Sequence, residues 1–271
     1  MELVQVKGMI EHGSRSLGLS TLEAASFLEK ACIDLDQAYC PLVHRFGPGV
    51  YIREVTIPEG TLWVGHEHTM DHLCVVLKGE TDLLTEDGSF ITIPEGTTFV
   101  GHPGRKTGLA KSELVLCNIF STRETNMKVL ESQIFVKTEV FDEHVEAINR
   151  KRREDGKASV EDFAKAGFAH KAFEHECPLP YGGYKFQVSE SGIHGDGLLA
   201  CGDIKKGDYI GHVWMSGGLT QIAQYVNHGF DPNAFVDEHG AMWALRDIKG
   251  NFGGELGEEI TVDYRSCKCL V

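Results

Sequence analysis

The sequence has few basic residues and no long apolar run. It carries 26 Lys and Arg residues against 40 Asp and Glu residues, for a formal net charge of −14. A nucleic-acid-binding surface needs clustered Lys and Arg, so this balance argues against a nucleic-acid partner. No apolar stretch approaches the roughly 18 residues of a membrane-spanning helix, and the first residues lack the charged and apolar regions of a secretory signal. We therefore expect a soluble acidic protein without a membrane partner.

The cysteines are too scattered for a disulfide scaffold. The eight cysteines lie at positions 32, 40, 74, 117, 177, 201, 267 and 269. Small secreted proteins place them more densely, so reduced thiols and a cytoplasmic location are the better interpretation. With 271 residues, 42% of them hydrophobic, the chain is long enough for one large domain or two modest ones with a buried core.

Helical and β patterns occupy different parts of the chain. Ser20-Thr-Leu-Glu23 has the form of a capping box, and the apolar spacing after it predicts a helix over Thr21–Leu35. From Tyr51 to about Phe135, short alternating or β-branched runs are separated by Gly and Pro turns, a pattern typical of a sandwich or barrel.

One short segment, IPEGT, occurs twice in this β-rich region. It spans Ile57–Thr61 and again Ile93–Thr97. Pro presets φ and Gly takes a positive φ, so the repeat predicts equivalent turns at two corners of one barrel.

A charged segment separates this region from a second β-rich one. Residues 138–170 predict two solvated helices broken at Asp155-Gly156, and the RKRRE cluster at 150–154 is either a solvated face or an anion-binding patch. After Pro178 and Pro180 the pattern is β-rich again. The predicted division is residues 1–137, a helix plus barrel; 138–180, a helical connector; and 181–271, a second β-domain.

Four histidines of the first β-rich region form one candidate site. His66 and His68 would share a face of a strand, and His72 has the same parity. His102 follows the Pro94-Glu-Gly96 turn. Imidazole is the commonest transition-metal ligand, so these four residues are candidate metal ligands.

These motifs resemble those of the cupin family, small β-barrels with a metal in the barrel mouth. The resemblance implies that His66, His68 and His102 match the family's ligands, while His72 stands where cupins usually carry Glu. An all-histidine set implies a divalent transition metal such as zinc, nickel, copper or iron. A metal-free barrel with a histidine-lined pocket, or a barrel used for dimerisation, are the alternatives.

Three blocks near the C-terminus form the second candidate site. Gly195-Asp-Gly197-Leu198 precedes Asp203-Ile-Lys-Lys-Gly-Asp-Tyr-Ile; Tyr225-Val-Asn-His-Gly-Phe-Asp-Pro-Asn follows; Gly257-Glu-Glu-Ile-Thr-Val-Asp-Tyr264 comes last. In this order the blocks resemble the SET domain, the β-fold of protein lysine methyltransferases, over about residues 184–265.

The resemblance assigns roles to individual residues. It implies that Gly195, Gly197 and Leu198 approach S-adenosylmethionine with their backbone, and that Asn227 and His228 hold the cofactor. Tyr264 would be the catalytic tyrosine. Methyl transfer from a sulfonium needs alignment, a neutral lysine amine and oxygen dipoles around the methyl group, which a tyrosine hydroxyl and backbone carbonyls supply without a metal.

Two features depart from the SET pattern. Only 16 residues separate Ile210 from Asn227, where SET enzymes carry a longer insert, so Trp214 or Tyr225 would have to supply an aromatic wall of the site. Cys267-x-Cys269 resembles the cysteines that bind zinc after some SET domains. Zinc needs four ligands, and Ala234 stands where another Cys is expected, so we predict no zinc there.

The overall prediction is a mainly β protein with an N-terminal helix plus cupin-like β-barrel, a helical connector and a C-terminal SET-like β-fold. The function it implies is S-adenosylmethionine-dependent methylation of a protein with an accessible lysine, with the barrel as metal-binding or dimerising partner and a homo-oligomer as the expected state. The alternative is a non-catalytic structural or interaction protein that uses both β-domains as scaffolds. The combination resembles proteins of bacteriophages, which implies a host-cytoplasm or virion location.

Overall fold

The computed structural model describes residues 3–154, 176–250 and 257–267. The helices are α1 (Leu3–Leu17), α2 (Thr21–Cys32), α3 (Met127–Ile134), α4 (Glu139–Glu154) and α5 (Gln221–Tyr225). The first eleven strands are β1 (Leu42–Gly47), β2 (Val50–Ile57), β3 (Leu62–Val64), β4 (Glu67–His68), β5 (His72–Lys78), β6 (Thr81–Leu84), β7 (Phe90–Ile93), β8 (Thr98–Gly101), β9 (Thr107–Ala110), β10 (Leu114–Ser121) and β11 (Phe135–Val136). The others are β12 (Glu176–Cys177), β13 (Gly182–Tyr184), β14 (Phe186–Glu190), β15 (Asp196–Ala200), β16 (Tyr209–His212), β17 (Trp214–Met215), β18 (Gly218–Thr220), β19 (Asn227–His228), β20 (Ala234–Val236), β21 (Ala241–Ala244) and β22 (Thr261–Val262).

The chain divides into two compact units. The first comprises Met1–Cys40, Gly49–Arg123 and Glu131–His144; the second comprises Pro41–Pro48, Glu124–Leu130 and Val145–Val271. The boundaries predicted from the sequence, at residues 137 and 180, stay predictions. No helix in the described part of the chain is long and apolar enough to cross a membrane.

The first unit contains two antiparallel sheets that enclose an apolar core. One has the strand order β2-β10-β5-β8 and the other β3-β9-β6-β7. Ile57, Val76 and Leu114 of the first sheet pack with Ala110 of the second, and all four are at most 4% exposed. The alternation of apolar side chains along these strands explains the core, because every second residue of a strand points to the same face. The predicted mainly β class and the cupin-like barrel agree with this arrangement.

Two local predictions in the first unit are confirmed. Ser20 caps α2 and Glu23 closes the capping box, although α2 ends at Cys32 rather than Leu35. The two IPEGT turns are equivalent: Gly60 and Gly96 have φ values of 79° and 78°. Helix α1 was not predicted from the sequence.

The second unit is built from many short strands. β14 and β15 form a hairpin, β16, β21 and β20 form a three-stranded sheet, and β19 pairs in parallel with β22. Buried Leu198, Ile222, Met242 and Ile260 contribute to its core. Helix α4 confirms the first helix predicted for the connector; the second lies outside the described residues.

Candidate functional site

Three separate segments of the second unit meet at the Asn227 side chain. The parallel pairing of β19 with β22 places the Asn-His pair beside the segment that leads to Tyr264. Asn227 is only 8% exposed. Its Nδ2 lies within hydrogen-bonding distance of Ser191 Oγ (3.0 Å), His194 O (3.1 Å), Asp196 O (3.3 Å) and Glu259 Oε1 (2.7 Å). We call these five residues the Asn227 cluster.

The predicted Gly195–Leu198 segment contributes its backbone to this cluster. Gly195 has φ 55°, in the left-handed region that favours glycine. An added Cβ at Gly197 would lie 2.5 Å from Glu259 Oε1, so a side chain there would displace the carboxylate. Leu198 is fully buried, and its carbonyl accepts a hydrogen bond from Ile260 N at 2.7 Å. The first and last blocks are therefore joined directly.

Tyr264 lies at the edge of the same arrangement. Its hydroxyl donates to Val226 O at 2.5 Å, and its backbone N–H donates to His228 Nδ1 at 3.2 Å. Burial, with smaller effects from Cys267 and Glu259, raises the pKa of Tyr264 to about 12. The phenol is therefore neutral at physiological pH and can act as a hydrogen-bond donor.

The sequence analysis missed the residues that hold this site together. Ser191 Oγ donates to Glu259 Oε1 at 2.7 Å and accepts from the backbone N–H of Ile193 at 2.8 Å. Asn233 donates to Glu259 O at 2.8 Å and accepts from Thr261 N at 2.9 Å. Asn233 and Glu259 stand inside the quoted blocks, but only the fold shows that Asn233 is buried and that both residues bond to neighbouring segments.

The two aromatic residues considered as a wall have different settings. Trp214 is 37% exposed, and an added Cβ at Gly240 would lie 2.7 Å from its Cβ, so Trp214 packs against the Gly240 backbone. Tyr225 is half-buried at the end of α5. The role of either ring as a wall of the site stays a prediction.

The predicted absence of a C-terminal zinc site falls partly outside the described residues. Cys267 and Ala234 are each 1% exposed, and Cys269 is not described. The prediction stays as it was drawn from the sequence.

The four predicted metal ligands of the first unit have unlike surroundings. His66 precedes β4, and its ring packs edge-on against Phe141, with centroids 4.7 Å apart. His68 is 8% exposed and stacks on His72, with centroids 4.1 Å apart and planes at 16°. The His102 side chain is 74% exposed and bonds to Asp71 Oδ1 at 2.8 Å.

This arrangement does not fit a metal ion held by the four histidines. An imidazole binds zinc at about 2.0–2.1 Å through an in-plane lone pair, so parallel stacked rings do not direct their nitrogens to one point. His72 Nδ1 bonds to Met70 O at 3.1 Å, and its Nε2 faces the Gly101 backbone, where an added Cβ would be 2.4 Å away. Within residues 3–154, 176–250 and 257–267, no three His, Cys, Asp or Glu side chains are placed to hold a metal.

The buried histidines of this group are neutral. Burial, together with the neighbouring His72 ring and the charges of Lys106 and Arg53, lowers the pKa of His68 to about 3. Burial and the nearby charge of Arg53 also hold the pKa of His66 well below its usual value. At physiological pH these rings therefore carry no charge.

The solved structures to which the chain is similar include cupins. One is an RmlC-like cupin with a double-stranded β-helix fold from Methanocaldococcus jannaschii, with 18% identity over 31% of this chain and 83% of that one and a TM-score of 0.27. A cupin-2 domain protein from Shewanella frigidimarina shows 19% identity over 35% and 91%, with a TM-score of 0.26. Ectoine synthase from P. lautus shows 17% over 39% and 84%, with a TM-score of 0.30.

No family model matches the chain, and no curated protein matches it. The cupin-like fold of the first unit accordingly rests on its own two facing sheets. These similarities give no support to the SET-domain resemblance, which stays a prediction.

Proposed function

We propose that the second unit is an S-adenosylmethionine-dependent protein lysine methyltransferase of the SET type, with the cupin-like barrel as its attached domain. The observation that carries the proposal is the meeting of the Gly195–Leu198 segment with Asn227 and the strand before Tyr264. The resemblance to SET domains assigns these residues to one site. Nothing in their local sequence requires segments so far apart to be neighbours.

The atoms at this site suit a positively charged ligand. S-adenosylmethionine, when bound, supplies a methyl group on a sulfonium and also carries an ammonium. Backbone oxygens of His194 and Asp196 and the Glu259 carboxylate border Asn227, and oxygen dipoles in a partly buried place favour a cation. The donor set therefore fits the cofactor.

The residues of the chain would bind and orient. Gly197 keeps the backbone close to Glu259, and Asn227 joins that segment to the last strand. The neutral phenol of Tyr264 holds its proton at the hydroxyl and directs it at Val226 O, which leaves the phenol oxygen as an acceptor dipole. The substrate would be a lysine in a basic protein segment, which a net charge of −14 attracts.

A non-catalytic scaffold is the second candidate, and one observation favours it. The Asn227 Nδ2 group and the Tyr264 hydroxyl already have hydrogen-bond partners inside the protein. Groups engaged in this way stabilise a fold whether or not a cofactor binds.

Calorimetric titration with S-adenosylmethionine separates the two candidates. We expect the wild-type protein, once its metal content has been measured, to bind S-adenosylmethionine saturably. Asn227→Ala should lose this binding, and Tyr264→Phe should bind the cofactor without transferring a methyl group. Tyr209→Phe is the matched control, because the Tyr209 hydroxyl is also hydrogen-bonded within the second unit, to His212. If the folded wild-type protein binds no cofactor at millimolar concentration, the methyltransferase proposal is contradicted and the non-catalytic scaffold is the remaining candidate.

Association of copies remains a proposal for the first unit. The outer face of its first sheet carries an apolar row in register across four strands: Ile52, Ile119, Leu73 and Val100. Leu73 and Val100 are 40% and 53% exposed. A homo-oligomer formed through the barrel would cover this row.

A further inference from the structure

Three aromatic side chains of the second unit form a row across one sheet. Strand register places Trp243 of β21 opposite Tyr209 of β16 on one side and opposite Phe235 of β20 on the other. Residues directly opposite each other on antiparallel strands share a face, so the three rings lie on the same face of the sheet. The centroids of the Tyr209 and Trp243 rings are 5.5 Å apart, and their planes are at 68°. We call these three residues the aromatic row.

The aromatic row lies on the solvent face of this sheet. Tyr209 and Phe235 are 43% and 40% exposed, and Trp243 is half-buried. Ile210 and Met242, which alternate with the row along their strands, are at most 4% exposed and face the core. The row is therefore not needed to fill the core. Neighbouring exposed aromatic side chains of this kind are typical of surfaces that bind a partner molecule.

A carboxylate borders the row and makes it negative. Asp237 follows β20 with the parity of Phe235, and its Oδ2 accepts a hydrogen bond from Trp243 Nε1 at 2.9 Å. This bond, together with bonds from the backbone N–H groups of Ala241 and His239, lowers the pKa of the Asp237 carboxyl, which is therefore ionised at neutral pH. The face of an aromatic ring attracts cations, and Trp does so most strongly. The row and the carboxylate beside it therefore suit a positively charged group.

The arrangement of the rings favours arginine over other cations. A guanidinium is planar, stacks on an aromatic face and bonds to a carboxylate through its N–H groups. A lysine ammonium has the charge but cannot stack, and a methylated ammonium is bound by rings that surround it rather than by rings in a row. The formal net charge of −14 adds a long-range attraction for a basic segment.

We propose that the aromatic row docks an arginine-containing basic segment of a partner protein, with a guanidinium stacked on Trp243 and bonded to Asp237. The rings of Tyr209 and Phe235, on either side of Trp243, would contact the hydrocarbon part of the segment. This inference goes beyond the methyltransferase proposal and does not depend on it, because docking requires neither the cofactor nor the Asn227 cluster.

Calorimetric titration of the full chain with three synthetic peptides tests the proposal. The first peptide alternates Arg and Gly, the second has Lys in place of Arg, and the third has citrulline, which keeps the shape of Arg without its charge. We expect the Arg peptide to bind most tightly, the Lys peptide to bind more weakly by roughly fivefold, and the citrulline peptide to show no measurable binding. Added salt should weaken the binding of both charged peptides. The preference for Arg should persist, because stacking acts only at contact.

Substitutions in the row show whether the rings themselves bind the peptide. Phe235→Leu and Trp243→Leu keep an apolar side chain but remove a ring, and each should weaken binding of the Arg peptide by roughly threefold or more. Asp237→Asn should also weaken it, because the charge is lost. The matched control is Phe27→Leu, which changes an exposed ring in α2, outside the row, and should bind like the wild type. Thermal unfolding checks that each variant is folded.

Four results would overturn the proposal. The Arg peptide could fail to bind the folded wild-type protein, or bind no more tightly than the Lys peptide. Folded Phe235→Leu and Asp237→Asn could bind the Arg peptide as tightly as the wild type does. Light scattering could also show a wild-type dimer that Phe235→Lys dissociates, in which case a second copy of the chain covers the row.

Discussion

The two units differ in what holds their candidate sites in place. In the first unit, long paired strands such as β2 and β10 form a regular apolar core, and the buried candidate residues His68 and His72 are side chains that face the interior. In the second unit, short strands around Asn227 and Asn233 are joined by hydrogen bonds between side chains and backbone. A regular sheet tolerates many different interior residues. A site formed by short strands depends instead on the particular side chains that join those strands by hydrogen bonds.

This contrast explains why one resemblance predicted the fold and the other predicted residues that lie close together. The cupin-like motif predicted the barrel, but its four histidines are not assembled as a ligand set. The SET-like motif has no support from solved structures, yet it named residues that meet at one place. Spacing along a strand determines which face a residue occupies, while convergence of loops depends on the whole fold.

The largest expected effect is in the first unit, at its buried ion pair. Glu29 accepts from Arg105 and from Thr138 Oγ1 at 2.9 Å, and Glu29 and Arg105 are 7% and 4% exposed. Glu29→Gln should lower the free energy of unfolding by about 3–5 kcal/mol, because it leaves a buried guanidinium without its carboxylate. Urea denaturation measures this. The control Glu113→Gln breaks an exposed ion pair with Lys78 and should change the midpoint of urea unfolding far less. Equal losses of stability in the two variants would show that the Glu29 ion pair is not buried in solution.

A smaller effect is expected in the second unit, at Gly197. Gly197→Ala places a methyl group against the Glu259 carboxylate and should cost about 1–3 kcal/mol of stability. The matched change Gly13→Ala, in α1 with no atom within 4 Å of the added Cβ, should instead stabilise by roughly 0.5–1 kcal/mol. Differential scanning calorimetry of both variants measures these changes. An unaltered stability of Gly197→Ala would mean that the backbone does not approach Glu259 so closely.

The pH dependence of stability tests the environment of Tyr264. Its pKa is raised in the folded state from 10.0 to about 12 by burial. A raised pKa stabilises the fold fully below pH 10, and this contribution is lost as the pH rises towards 12. At neutral pH, the free energy of unfolding of Tyr264→Phe should be about 1 kcal/mol lower than that of the wild type, because a hydrogen bond is missing. Above pH 10, the stability of the variant should fall less steeply than that of the wild type. Parallel curves for the two proteins would place the hydroxyl in water.

The smallest effect on folding is expected at the exposed apolar row. Leu73→Lys should change the free energy of unfolding by no more than about 0.5 kcal/mol, because the side chain is partly exposed. If copies associate through this face, light scattering after gel filtration should show a smaller species. The control is Leu17→Lys, which is exposed in α1 and outside the row. An unchanged mass in both variants would exclude this face as the contact.

Local chemistry in the sequence predicted much of the fold. The capping box at Ser20 and the two IPEGT turns are confirmed because they depend on neighbouring residues only. Helix α1 was missed. Helix α2 ends earlier than predicted, because the exact end of a helix depends on contacts outside it. Residues of the candidate sites were harder to predict: Ser191 and Glu259 gave no local signal, since each acts through partners that are distant in the chain.

The sequence by itself determined the β-rich character, the turns, the acidic balance and the candidates at Asn227 and Tyr264. These follow from side-chain alternation, φ preferences and ordered motifs, all of which act over a few residues. Only the tertiary structure decided that Asn227 meets the Gly195–Leu198 segment and that His68 stacks on His72. Those facts depend on which strands pair and on what is excluded from water, and no short stretch of the chain contains that information.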